Sequence, residues 1–434
     1  MAKNENNRVL ISFLGTGPFQ SRENRVYKTV DYHLGETALG QFPFVSAAIK
    51  KHYGIDKMLL VGTVHSMWEE VYRWYSEDAG LPIDENVYLE IGDACEKAGH
   101  LSPLSLPHQE AIERAIGPGS RVMLIKYGMN DEEIEQNSNI ILSLQQYLDD
   151  RDELIVDVTH SFRSLPIYMM NLLVYLQNVS PKRISISHIH YGMMEMIREL
   201  GYAPILDLKK MMDVNEWITG AYNFMEFGNT YKLAKLLEED PSGEYKDEAQ
   251  LLRKFADLKN LNYLRDFRRG FKRINQLTAS ENLPEIGRIL IPDVIKNFID
   301  RMPTKLSQSS FQYRMARWHQ QHHNYGFAFI NLVEAVLSYC CDLLPKEDRK
   351  DIRRALNYAQ SDWGNDKIEE LRKTLKAKVT ANGINFALFN KEYDKVNTDR
   401  NMIAHDLDRN KNYNTLLKEL EHGLKYFGQY LGKL

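Results

Sequence analysis

"ELIVDVTHSFRSLP", residues 153–166, changes character halfway along. Its first half holds the apolar, branched run Leu154, Ile155 and Val156. Its second half brings Asp157, Thr159, His160, Ser161, Arg163 and Ser164 together, with Pro166 just beyond. A continuous apolar run suits a parallel strand covered on both faces. The polar part then reads as a turn that opens a helix, with proline near the helix start, where it is tolerated. Hydroxyls, a guanidinium and the free N–H groups of a helix N-terminus at a strand's carboxyl end suit a phosphate or ribose ligand. The plainer alternative is that Asp157 and Thr159 only satisfy a turn.

Four more runs extend the pattern: "RVLISFLG" (8–15), "KMLLVGT" (57–63), "RVMLIKYG" (121–128) and "RISISHIHYG" (183–192). Helical stretches lie between them, so the first 202 residues form an α/β domain of the doubly wound, Rossmann-like kind: a parallel-rich sheet with helices on both faces. Ligands in such sheets sit beyond the strand carboxyl ends. "FLGTGPFQ" (13–20) places Gly15, Thr16 and Gly17 there, "GTVHSMW" (62–68) adds Thr63, and "YGMNDEE" (127–133) adds more polar groups. The glycines are not a dinucleotide fingerprint. Gln20 stands at the third glycine position, and the second strand ends "LLVGT" without an acidic residue for a ribose.

From about residue 203 the period is helical, and no strand-like run competes with helix to the end. "EEDPSGEYKDE" (238–248) reads as a polar break, and the prolines of "NLPEIGRILIPD" (282–293) and "RMPTKLSQSS" (301–310) as a second boundary. The expected order is an α/β domain over 1–202, a helical connector over 203–310 and an all-α domain over 311–434.

A chain of 434 residues is long enough for two or three cores, and a hydrophobic fraction of 43% can fill them. Net charge is -4, so any nucleic-acid contact has to be local. Cys95, Cys340 and Cys341 lack metal spacing; the adjacent pair reads as core thiols, and a reduced, cytoplasmic compartment is expected. "MAKNENNRVLISF" lacks the apolar core of a signal peptide, and no run approaches 18 apolar residues, so no membrane partner is expected.

An Arg and a His five positions apart occur four times: Arg183/His188, Arg314/His319, Arg317/His322 and Arg400/His405. The spacing alone selects none of them. Two basic stretches leave alternatives open. "YRMARWHQQHHNYG" (313–326) is either part of an RNA groove or a solvated helix face over a buried Trp318. Residues 253–273 hold eight cationic and two acidic residues and read first as a solvated face, second as an RNA surface.

"FLGTGPF", "DVTHSFRSLP" and "YGMMEM" together resemble the CARF domains of CRISPR-associated proteins, whose usual form of the longer motif is Asp-x-Thr-His-Gly-x-Arg. Ser161 stands here where glycine is usual. The domain order resembles CARF–HEPN ribonucleases of type III CRISPR systems, which act in antiviral defence. The resemblance implies a homodimer that binds a cyclic oligoadenylate, tetra- or hexa-adenylate, across its two-fold axis. Gly15, Thr16, Gly17, Thr63, Thr159, His160, Ser161, Arg163 and Ser164 would line that pocket. It further implies an Arg-x4-6-His pair, often with a polar residue after the Arg. "DRNMIAHD" (399–406) fits best, with Arg400, Asn401 and His405.

On one α-helix, five residues turn through about 500°, so Arg400 and His405 diverge by about 140°; one helix does not easily aim both at one phosphate, and two copies at a dimer interface can pool them. The implied reaction is endonucleolytic cleavage of single-stranded RNA without a metal or other catalytic cofactor. The 2′-OH attacks the phosphate, His405 moves protons, Arg400 stabilises the phosphorane, Asn401 orients, and a 2′,3′-cyclic phosphate results. The main competing reading is a catalytically inactive sensor that docks a partner through its helical domain. A nicotinamide-dependent oxidoreductase is disfavoured by Gln20.

Overall fold

The computed structural model describes residues 7–21, 26–160, 162, 164–279, 281–302, 305–405 and 412–432. The chain folds as two compact units, Met1–Asp213 and Val214–Leu434.

The first unit contains β1 (Arg8–Leu14), β2 (Phe19–Ser21), β3 (Val26–Tyr27), β4 (Val30–Leu34), β5 (Thr37–Phe42), β6 (Lys57–Gly62), β7 (Arg121–Leu124), β8 (Glu153–Asp157), β9 (Ser185–Gly192) and β10 (Ala203–Asp207). Among the described residues, eight of these form one sheet in the order β5-β4-β10-β9-β8-β1-β6-β7, and β2 and β3 pair separately. β9, β8, β1, β6 and β7 run parallel. β10 runs antiparallel to β9, and β4 and β5 continue the sheet beyond it.

Successive side chains on a strand point to opposite faces, which explains the unbroken apolar runs. Leu10, Leu14, Met58 and Leu60 enter one layer, while Val9, Ile11, Phe13, Leu59, Leu154 and Val156 enter the other. α1 (Val45–Tyr53), α2 (Trp68–Asp78), α3 (Glu85–Lys97) and α4 (Gln109–Ile116) cover the first layer with Ile49, Trp68, Tyr75, Ile91 and Ile112. α5 (Asp131–Ser143) and α6 (Leu165–Asn178) cover the second with Ile141, Met169, Leu172 and Leu176. The α/β expectation therefore holds, as a mostly parallel sheet between two helical layers.

Residues 203–207 correct the expectation of helix from 203 onward. They form β10, whose Ala203 and Ile205 are buried between β9 and β4. The third parallel strand stops at Leu124 rather than Gly128 because the backbone of Lys126 turns to the side chain of Asn137, with N–H donating at 2.8 Å and C=O accepting at 2.9 Å. After the short α7 (Ile197–Leu200) comes α8 (Lys209–Phe227).

The second unit continues with α9 (Tyr231–Glu238), α10 (Lys246–Asn260), α11 (Leu264–Ile274), α12 (Glu285–Arg301), α13 (Gln308–Gln321), α14 (Tyr325–Leu343), α15 (Arg349–Asn357), α16 (Asp366–Ala381), α17 (Phe386–His405) and α18 (Tyr413–Leu431). Two cores share α13: Phe311, Met315 and Trp318 enter one, Tyr313 and Ala316 the other. Residues 282–293 are not the expected break. Pro284 caps α12 and Pro292 lies inside it, where the buried stripe Ile291, Ile295 and Phe298 carries the helix past the missing N–H. α14 is long and apolar enough to cross a membrane by length and composition, yet Phe329, Leu332, Val336, Leu337 and Cys340 bury it in the helical core.

Candidate functional site

Two groups of residues are candidates for the chemistry. The first lies at the carboxyl ends of β1, β6 and β8. Asp157 ends β8 and is fully buried. Its Oδ2 accepts from Ser12 Oγ at 2.6 Å, and its Oδ1 accepts from Thr159 N at 3.0 Å and Thr159 Oγ1 at 2.6 Å. Thr159 Oγ1 in turn accepts from Gly192 N at 2.7 Å. This network ties β1, β8 and β9 together. The plainer reading of Asp157 and Thr159 thus describes their contacts, and the Thr159 hydroxyl has its proton engaged inside the protein, with one lone pair left.

Gly15 lies beside His160: a Cβ built there would stand 3.4 Å from His160 Cβ. The glycine loop and the longer motif therefore meet, as the sequence implies. Gly17 has a packing reason, since a Cβ would come within 2.8 Å of Met67 Sδ and Tyr27 Cδ1. Thr16 is exposed. Thr63 does not reach the rim. It is 6% exposed, its hydroxyl faces Ser66 Oγ at 3.4 Å, and its carbonyl accepts from Trp68 Nε1 at 2.8 Å. It fastens the turn after β6, a correction to its expected place in the pocket.

His160 is half-buried, and its Nε2 is enclosed with no partner among the described residues. Burial pulls its pKa below the usual histidine range, against the pull of the Asp157 carboxylate. Ser161 and Arg163 lie outside the described residues. Ser164 is exposed at the start of α6, its carbonyl accepting from Ile167 N at 3.1 Å. Sequence reasoning missed Phe162, inside the same motif. It is 41% exposed, with its ring centroid 5.3 Å from that of Tyr127. Thr16 and Gly17 line a cavity of about 520 Å³ together with His65, Met67, Glu69 and Cys95.

The second group is the set of four Arg/His pairs, which the structure separates. Arg183 grips Asp150 through Nε and Nη2, and His188 Nδ1 on β9 lies 2.7 Å from Asp207 Oδ2 on β10. His319 is 0% exposed, and neither ring nitrogen has a partner among the described residues. Burial, with the neighbouring Lys259 ammonium and His322, pushes its pKa down to about 3, so it carries no proton at neutral pH. His322 is half-buried, and its Nδ1 bonds the Trp318 carbonyl at 2.7 Å.

Arg400 is half-buried, and Asn401 and His405 are exposed, all within the last turns of α17. Neither Arg400 nor His405 has a hydrogen bond or ion pair to another described residue. At 100° per residue, positions seven apart share a face within about 20°. Arg400 thus continues the face of buried Tyr393, and His405 continues that of Thr398. Thr398 lines a cleft of about 760 Å³ between α16 and α17, together with Arg372, Lys376, Asn390 and Lys395. Half of the eight cations of 253–273 are engaged: Arg253 pairs with Glu238, Arg269 with Asp266, Arg268 donates to the Leu306 carbonyl, and Lys259 is buried.

Comparison with known proteins places the chain. CRISPR-associated protein MJ1674 of Methanocaldococcus jannaschii is 33% identical over 435 residues, covering 93% of this chain and 67% of the relative. The chain belongs to the MJ1674 family of CRISPR-associated proteins. Residues 213–308 match the model of the MJ1674 second domain, which takes in α9 to α12. Residues 9–195 match the CARF domain of CRISPR system endoribonuclease Csx1, so the sheet unit of this MJ1674 relative is a CARF domain. Among solved structures, Enterococcus italicus Csm6 bound to cyclic hexa-2′-fluoro-hexa-dAMP covers 98% of this chain and 94% of its own at 11% identity. Its TM-score is 0.39.

Proposed function

We propose that this chain is a homodimeric, cytoplasmic endoribonuclease of CRISPR antiviral defence, switched on by a cyclic oligoadenylate and independent of metal. One observation carries the reading. Of four Arg/His pairs at the same spacing, Arg400/His405 alone has an exposed imidazole and an arginine without a partner among the described residues, at the end of a helix in a chain headed by a CARF domain. Residues 311–434 would then be a HEPN domain, and the family's second domain the connector between sensor and nuclease.

The two side chains diverge by about 140° on α17, so two helices meeting at a two-fold axis pool two Arg400 and two His405 around one phosphate. The ribose 2′-oxygen bonds to phosphorus as the P–O5′ bond breaks. One His405 takes the 2′-hydroxyl proton, and the other, as imidazolium, gives a proton to the departing 5′-oxygen. Arg400 meets the added charge of the phosphorane with its planar fork, and Asn401 orients the phosphate. On the sensor, Gly15, Thr16, His160, Ser161, Arg163 and Ser164 would face the ligand's phosphates. Gly17, Thr63 and Thr159 would hold the rim in shape. Ligand binding then shifts the dimer toward a state in which the two α17 ends align.

The test is the chemistry of the product ends. RNA cut in EDTA with activator should carry 2′,3′-cyclic phosphate and 5′-hydroxyl ends, and a substrate with 2′-deoxyribose at the scissile position should stay intact. Cleavage of the deoxy substrate, or loss of all activity in EDTA, would refute the mechanism.

A further inference from the structure

The end of α12, the outer face of α13 and Gly432 after α18 enclose a cleft of about 430 Å³. Its lining includes Arg301, Arg314, Arg317 and His322 and holds no aspartate or glutamate. Arg314 and Arg317 have no carboxylate partner among the described residues. Arg301 is held loosely, with Nη1 3.4 Å from the Met225 carbonyl and 4.0 Å from Glu226. The His322 ring tilts over Trp318 with centroids 4.5 Å apart, and its Nδ1 is fixed on the Trp318 carbonyl, so the imidazole has a set orientation at the cleft wall. Arg314 and Arg317, gathered on one wall without a carboxylate partner among the described residues, repel each other, and an anion with several negative centres relieves that. Arg317 also lines a second groove of about 540 Å³ between α13 and α18, beside Gln320, Lys425 and Glu421, where a carboxylate joins the cations.

The chain just beyond the cleft meets the end of α17. His322 lies at the α13–α14 corner, and Gly326, just inside α14, would place a Cβ 3.9 Å from Ile403 Cγ2 on the last turn of α17. Ile403 lies between Arg400 and His405.

We propose that this cleft binds the phosphodiester backbone of the single-stranded RNA substrate, with Arg301, Arg314 and Arg317 as its phosphate contacts, and delivers the strand to Arg400 and His405. The proposal rests on the ribonuclease reading, but its test does not. Binding is measured by anisotropy of a labelled single-stranded RNA in a His405→Ala background, where the strand is not cut, with and without Arg314→Gln/Arg317→Gln. Both arginines are at the surface, and Arg314→Lys/Arg317→Lys serves as the charge-preserving control. The Gln pair should weaken binding by about tenfold or more and flatten the slope of log K against log salt by about 1.4, two lost contacts at about 0.7 each for a single strand. The Lys pair should restore most of the slope. In the His405-intact chain the Gln pair should raise KM and leave kcat at saturating RNA unchanged. An unchanged Kd and salt slope in the Gln pair, or a His405→Ala chain that binds no RNA, would overturn the proposal. Normal binding with no activator-dependent cleavage in the parent would defeat the ribonuclease reading alone.

Discussion

Protonating His319 should destabilise the helical unit from within. The imidazole is 0% exposed, lacks a partner for either nitrogen among the described residues, and faces the Lys259 ammonium. Its pKa is pushed down from 6.5 to about 3 in the folded protein. Between those values the unfolded chain binds more protons than the folded one, so stability rises with pH across the window and is lost as pH falls below 6.5. At pH 5 the unfolded state has taken up most of a proton that the folded state refuses. The resulting loss between pH 7 and pH 5 is about 2 kcal/mol. Other groups titrate in the same range, so the quantity to measure is the difference between the parent and His319→Leu. Urea unfolding at pH 7, 6 and 5, followed by circular dichroism, provides it. The parent should lose about 2 kcal/mol more than the leucine variant over that range, whatever their absolute stabilities. Equal losses would show that His319 takes up a proton freely in the folded state. The exclusion of Arg314/His319 as the nuclease pair would then fail.

Further outcomes follow from the sensor and the nuclease helix. Asp157→Ala removes the acceptor for Ser12 Oγ, Thr159 N and Thr159 Oγ1 at a fully buried point. A loss of about 3–5 kcal/mol is expected, seen as faster hydrogen exchange in β1 and β8; unchanged exchange would contradict the network's role. Gly17→Ala forces a methyl against Met67 and Tyr27. It should lower stability by about 1–2 kcal/mol, and an unchanged melting temperature would show that the loop relaxes freely. Arg400→Lys keeps the charge and loses the fork; activated cleavage should fall by about a hundredfold with RNA affinity retained, and near-parental rates would remove Arg400 from transition-state stabilisation.

The strands that sequence reasoning found are those covered on both faces. β1, β6 and β8 are apolar at successive positions because alternate residues feed two different cores. β4, β5 and β10 escaped notice for the opposite reason. β4 and β5 carry half-exposed or polar residues such as Asp31, His33 and Gln41, and β10 is five residues long with Pro204 inside it. Pro292 misled in the same way, since a local breaker signal yields to a buried stripe of Ile and Phe.

At the site, residue types were legible but their partners were not. The pattern cannot show that the Thr159 hydroxyl turns back to Asp157, or that Thr63 turns inward to Ser66. Nor can spacing rank four Arg/His pairs: His319 is removed by burial, and Arg183 and His188 by their carboxylates, both of which are tertiary facts. Phe162 went unnoticed because an aromatic inside a polar motif reads as core until its exposure is known.

The most direct test of the central claim is cleavage of a fluorogenic single-stranded RNA by the purified full chain and by His405→Ala, in EDTA, with cyclic tetra-adenylate, cyclic hexa-adenylate or no activator. One ring should switch on cleavage in the parent, and His405→Ala should abolish it while its RNA binding persists. Activated cleavage that survives His405→Ala would contradict the account.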